Sequence, residues 1–111
     1  MERDHSDSEF SVVGLSYSGS EAVITLAGEL DLASAPVLHE SLLEAASGGA
    51  ETIKIDIQRL TYIDSVGLGV LVSAHKRLQS NGGSLVISGP TARVMRVLAV
   101  SGLTRYFTIR T

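Results

Sequence analysis

Hydrophobic and polar positions along this chain change their period several times, and each change marks an element. From Phe10 to Tyr17, Val13, Leu15 and Tyr17 alternate with smaller residues, which predicts a strand. Ser18-Gly19-Ser20 is a turn cluster, and Ala22 to Ala27 predicts a second strand closed by Gly28-Glu29-Leu30-Asp31. The short turn between the two predicts an antiparallel hairpin. Ser34 then offers a side-chain oxygen as a helix cap, and Pro36 fits only a first helical turn. Leu38, Leu42 and Ala45 follow at helical spacing until Gly48-Gly49 ends the helix.

Thr52 to Ile57 returns to strict alternation, with Ile53, Ile55 and Ile57 on one side and Thr52, Lys54 and Asp56 on the other. That pattern belongs to a strand with one buried face. A helix is predicted from Ser65 to Leu78, beginning after Asp64 and stopping near Asn81-Gly82-Gly83. Leu85 to Ile87 reads as a short buried strand. Thr91 caps a third helix striped by Val94, Val97 and Leu98 and stopped at Gly102, and Tyr106 to Ile109 is a final strand. The order β-β-α-β-α-β-α-β predicts an α/β fold with a mixed, mostly parallel sheet, right-handed crossovers and one antiparallel edge.

Composition narrows the class. With 111 residues, 44% hydrophobic and 19% charged, the chain fits one globular domain. Residues 1–9 read as a flexible polar tail and 10–111 as the domain. Cysteine is absent, which excludes disulfides, thiolate zinc and iron–sulfur clusters. A net charge of −3 argues against direct nucleic-acid binding. His5, His39 and His75 lie far apart, and no metal or cofactor is expected. There is no signal-peptide core and no apolar run long enough for a bilayer, so the protein is expected to be soluble and cytoplasmic.

One stretch is unusual, Tyr62-Ile63-Asp64-Ser65-Val66-Gly67-Leu68-Gly69-Val70-Leu71. Gly67 and Gly69 each cost up to about 1 kcal/mol relative to alanine in a helix. Either close packing on the sheet or the approach of a partner backbone has to offset that. Asp64 and Ser65 are both capping candidates. Val66, Val70, Ser73 and Arg77 share a helix face with Ser65 at its head, a face that suits docking or core equally well.

This stretch resembles the phosphorylation motif of the anti-sigma factor antagonists, bacterial members of the STAS-domain family. Their Asp-Ser-(Ser/Thr)-Gly-Leu-Gly pattern stands here as Asp64-Ser65-Val66-Gly67-Leu68-Gly69. Gly28-Glu29-Leu30-Asp31 with Ser34-Ala35-Pro36-Val37-Leu38, Asn81-Gly82-Gly83-Ser84-Leu85 and Ser101-Gly102-Leu103 match further segments in order and spacing. The resemblance implies that Ser65 accepts a phosphate. Val66 departs from the usual second hydroxyl. The expected partner-binding set is Glu29, Asp31, Ser34, Asp64, Val66, Gly67, Gly69, Val70, Ser73 and Arg77. The implied partners are an anti-sigma factor that is also a serine kinase, and a serine phosphatase. Unphosphorylated, the module would bind the kinase and free a sigma factor. The family's usual fourth helix after the last strand is missing from this sequence, so the chain reads as naturally short or truncated.

Other functions fit less well. Asp64-Ser65 lacks a Gly-x-Ser-x-Gly elbow, and His75 lies about three turns from Ser65, too far for proton transfer. Gly67-x-Gly69 lacks the third glycine of a dinucleotide loop, and no phosphate-binding Gly-x-x-x-x-Gly-Lys-(Ser/Thr) sequence exists. The chain is therefore expected not to be an enzyme. His75 is expected at the surface or boundary, and Arg93 and Arg96 on a solvated face. The alternative is a STAS interaction subunit of a transporter or signalling assembly, with Ser65 only a cap.

Overall fold

The computed structural model describes residues 11–111. The expected tail at residues 1–9 and the strand start at Phe10 lie outside the described residues. The elements are β1 (Ser11–Ser18), β2 (Glu21–Leu30), α1 (Ala35–Ser47), β3 (Thr52–Ile63), α2 (Ser65–Ser80), β4 (Ser84–Ser88), α3 (Ala92–Val100) and β5 (Thr108–Arg110). The five strands lie in sequential order in one sheet, β1 antiparallel to β2 and every later neighbour parallel. The predicted α/β fold is the one observed.

Register explains where the core sits. Ile24 pairs with Ile55, Ile55 with Ile87, and Ile87 with Ile109, so β-branched side chains line one face of the sheet. With strands in sequential order, right-handed crossovers place all three helices against that same face. Leu38 and Leu42 of α1, Leu68 and Leu71 of α2, and Val94 and Leu98 of α3 join the strand residues in one buried cluster. Each such leucine or isoleucine contributes about 1.5–3 kcal/mol through burial. No helix among the described residues is long and apolar enough to cross a membrane.

Five expectations need correction. In β1 the pairing shifts between Val12 and Gly14, and this bulge breaks the expected alternation. Val13 is consequently exposed, while Val12 and Leu15 pack on the core. β3 does not stop at Ile57 but runs to Ile63. Its pairing with β2 shifts twice, between Thr25 and Ala27 and between Gly28 and Glu29. Those irregularities space the buried residues Ile57, Leu60 and Ile63 three apart, so a period of two is invisible there.

Ser34 stands at the N-cap position of α1 but makes no capping hydrogen bond. Its hydroxyl instead accepts from the Asp31 N–H at 2.9 Å and lies 2.9 Å from the Glu29 carbonyl, to which it donates. The final strand is Thr108–Arg110, displaced toward the C-terminus from the expected span. His75 is not at the boundary: it is 4% exposed and wedged edge-on against Tyr106 and Phe107, with ring centroids 4.7 and 5.6 Å away. Thr91 does cap α3, its hydroxyl accepting from the Val94 N–H at 3.2 Å. Arg93 and Arg96 are exposed, as expected.

Candidate functional site

At the head of α2 the capping question is resolved in favour of Asp64. The residue is extended, with φ −111° and ψ −176°, a backbone that lets a side chain turn back onto the helix start. Asp64 Oδ1 accepts from the N–H groups of Val66 and Gly67, both at 3.0 Å. Its other oxygen, Oδ2, accepts from the Leu32 N–H at 3.3 Å. The Asp64 N–H donates to the Leu30 carbonyl at 3.1 Å, and its own carbonyl accepts from Leu68 at 2.9 Å. One residue therefore joins the end of β2, the β2–α1 loop and the first turn of α2.

Ser65 is released from structural duty by that arrangement. It is the first residue of α2, it is exposed, and it makes no side-chain hydrogen bond to any described residue. Its hydroxyl faces solvent at the positive end of a 16-residue helix, where an added anion is electrostatically tolerated.

The two glycines have different explanations. A Cβ on Gly67 would lie 2.6 Å from Leu30 Cγ and 3.1 Å from the Leu30 carbonyl oxygen. Gly67 therefore lets α2 close down on β2. Gly69 is exposed, and a Cβ there would meet nothing within 4 Å. Packing gives no account of Gly69; it leaves a low, open spot one turn from Ser65.

The acidic residues of the β2–α1 loop largely serve the loop. Asp31 Oδ1 accepts from the N–H groups of Ala33 and Ser34, each at 3.1 Å, an arrangement that folds the turn back on itself. Glu29 is half-buried beside Tyr62 on the neighbouring strand. Val66 is 40% exposed at the helix head, while Val70, Ser73 and Arg77 run down the α2 side that faces α1. The expected residues thus divide between a cluster at the helix head and a line along the α1–α2 seam.

Sequence reasoning missed the apolar residues around the head. Leu32 is 71% exposed, and its N–H is bound to Asp64, which puts it beside Ser65 in space although 32 residues separate it from Asp64. Tyr62, close to the same strand end, is 41% exposed. An exposed leucine in a loop of small and acidic residues was the available signal. Leu32 and Val66 put exposed apolar surface next to Asp64 and Ser65, and Tyr62 adds more at the end of β3, the composition of a protein-docking patch. Among the described residues no group of three or more His, Cys, Asp or Glu side chains could hold a metal ion.

Comparison with known proteins agrees with this architecture. The family model described as "Mlab, STAS domain" matches residues 13–111. The chain is 36% identical over 91 residues to the anti-sigma-B factor antagonist of Bacillus subtilis, covering 82% of this chain and 83% of that one. Its fold is similar to an anti-sigma factor antagonist from Mycobacterium paratuberculosis, with a TM-score of 0.81 at 19% identity over 92% of this chain and 86% of the other. It is also similar to the phosphorylated form of the Bacillus cell fate determinant SpoIIAA, with a TM-score of 0.69 at 26% identity, covering 88% and 90% of the two chains.

Proposed function

This chain belongs to the STAS-domain family, and from that premise we propose that it is an anti-sigma factor antagonist switched by phosphorylation of Ser65. In the unphosphorylated state it binds an anti-sigma factor that is also a serine kinase, and so frees a sigma factor. Phosphate transfer from ATP held by that kinase ends the contact, and a serine phosphatase restores it. The cycle is cytoplasmic and leaves this chain without a catalytic role of its own.

The observation that carries this reading is the division of labour between Asp64 and Ser65. Because Asp64 already satisfies the Val66 and Gly67 amides, modification of Ser65 removes no bond that holds the helix. A phosphoryl group adds about −1.5 to −2 charges and three acceptor oxygens. In the isolated domain that charge stays hydrated beside a helix N-terminus, so the fold persists. Within a docked interface it must lose its water next to Leu32 and Val66, at a cost of several kcal/mol unless a cation meets it. A cost of about 1.4 kcal/mol already weakens affinity tenfold, so the charge alone releases the partner. The relationship to the Bacillus subtilis anti-sigma-B factor antagonist supports the partner class.

Incubation with the cognate anti-sigma kinase and ATP tests the reading by mass spectrometry. The expected result is a gain of one phosphate, mapped to Ser65 and absent from Ser65→Ala. A kinase that binds the domain yet leaves Ser65 unmodified returns the domain to the class of unswitched STAS interaction subunits.

A further inference from the structure

The net charge of −3 conceals a sorting of charge by sign. Between residues 11 and 51, with histidine neutral, the charged side chains are Glu21, Glu29, Asp31, Glu40, Glu44 and Glu51, all acidic. Between residues 65 and 111 they are Lys76, Arg77, Arg93, Arg96, Arg105 and Arg110, all basic and all exposed. β3 and the Asp64 cap lie between, where Lys54 and Arg59 balance Asp56 and Asp64. The strands keep their sequential order in the sheet, so the sorting survives folding. The end of the sheet at β1 and β2, with α1, is negative, and the end at β4 and β5, with α3, is positive.

Two helices display the sorted charge on matching stripes. α1 buries Leu38, Leu42 and Ala45, and the exposed Val37, Glu40 and Glu44 fall on its opposite side within about 60° of arc. α3 buries Val94 and Leu98, and the exposed Arg93, Arg96 and Val100 hold the equivalent outer positions. Each stripe has spacings of three and four residues and runs about 10 Å. Laid antiparallel, the two match along their length: Glu44 meets Arg93, Glu40 meets Arg96, and Val37 meets Val100. The valines are 48% and 84% exposed, so the match also covers apolar surface. Both stripes point away from the core of their own chain, so the complement has to come from another molecule. We propose that the outer stripe of α1 docks on the outer stripe of α3 in a second copy of this chain. A polyanion such as nucleic acid would engage the positive half and be repelled by the negative one, whereas a second copy satisfies both. Exposed ion pairs add little each, so the contact is transient and sensitive to salt. Neither stripe includes Ser65, and the proposal stands apart from the phosphorylation reading.

Sedimentation velocity of the full chain over a concentration series tests the proposal. At low salt the sedimentation coefficient is expected to rise with concentration, and the association should weaken at least about tenfold between about 0.01 M and about 0.3 M salt. Two charge-reversed proteins locate the contact, one carrying Glu40→Arg with Glu44→Arg and the other Arg93→Glu with Arg96→Glu. All four positions are exposed, so both proteins should keep the wild-type circular dichroism spectrum. Each alone should sediment as a monomer, because its two stripes then carry the same sign. An equimolar mixture should associate again, since each protein supplies the stripe the other lacks. Ser65→Ala should associate as wild type does. Wild type that stays monomeric at low salt, self-association of either charge-reversed protein alone, or no gain on mixing overturns the proposal. Binding of random-sequence duplex DNA by a wild type that stays monomeric would also overturn it and give the positive half to nucleic acid.

Discussion

Asp64 and Leu32 are linked by one hydrogen bond, the Leu32 N–H donating to Asp64 Oδ2 at 3.3 Å, and that bond ties the most exposed apolar residue of the site to the head of α2. The same carboxylate caps two amides of α2 through its other oxygen. Loss of the carboxylate therefore loosens the helix start and the β2–α1 loop together. Asp64→Ala is expected to lower unfolding stability by about 1–2 kcal/mol, as for other lost N-caps, with Asp64→Asn recovering most of it. Urea denaturation of the three proteins measures this. Equal midpoints for wild type and Asp64→Ala would show the cap to be energetically idle.

Leu32 separates binding from folding. At 71% exposure it contributes little to the core, so Leu32→Ala should shift stability by no more than about 0.5 kcal/mol. Affinity for the anti-sigma partner should drop at least tenfold, about 1.4 kcal/mol, by calorimetry. Unchanged affinity would remove Leu32 from the interface.

Charge at Ser65 is expected to decide partner release. Ser65→Ala keeps the surface neutral and should bind the partner within about threefold of wild type, whereas Ser65→Asp should bind more than tenfold more weakly, about 1.4 kcal/mol or more. Neither substitution disturbs the Asp64 cap, so both should melt near wild type. Matching affinities for the two variants would defeat the electrostatic account.

The two glycines should respond in opposite ways. Gly67→Ala forces a Cβ into the Leu30 side chain and is expected to destabilise by about 1–3 kcal/mol, in the range of other overpacked sites. Gly69→Ala meets open space and should stabilise by up to about 1 kcal/mol through helix propensity. If Gly69 is where a partner backbone comes close, the same change weakens binding while raising the melting temperature. Thermal melts and titration of the partner read the two effects separately.

His75 should make stability depend on pH. Burial against Tyr106 and Phe107 disfavours its charged form and pushes its pKa below the ordinary 6.5, and its Nδ1 has no hydrogen-bond partner among the described residues. Between the folded pKa and 6.5 the unfolded chain binds the extra proton, so stability rises with pH across that window. The contribution is complete above about pH 7 and falls away as pH drops below about 6.5. Denaturation midpoints from pH 8 to 5 should show this decline, and His75→Phe should flatten it. A decline of equal size in His75→Phe would assign the effect to other groups.

Local chemistry carries much of this protein in readable form. Ile53, Ile55 and Ile57 alternate because a strand with one buried face has a period of two, and Thr91 and Pro36 mark helix starts through their own backbone and side-chain requirements. The Asp64-Ser65 pair was legible as a helix head for the same reason. What the sequence left open depends on groups distant along the chain that meet only after folding. Asp64 rather than Ser65 caps α2 in an arrangement that also reaches Leu32, and Gly67 owes its identity to Leu30. Two shifts of register hide the second half of β3, and the packing of the α3–β5 segment buries His75. Period and capping are properties of neighbouring residues, whereas burial and register belong to pairs that the sheet brings together, and those pairs shaped the surface around the Ser65 hydroxyl.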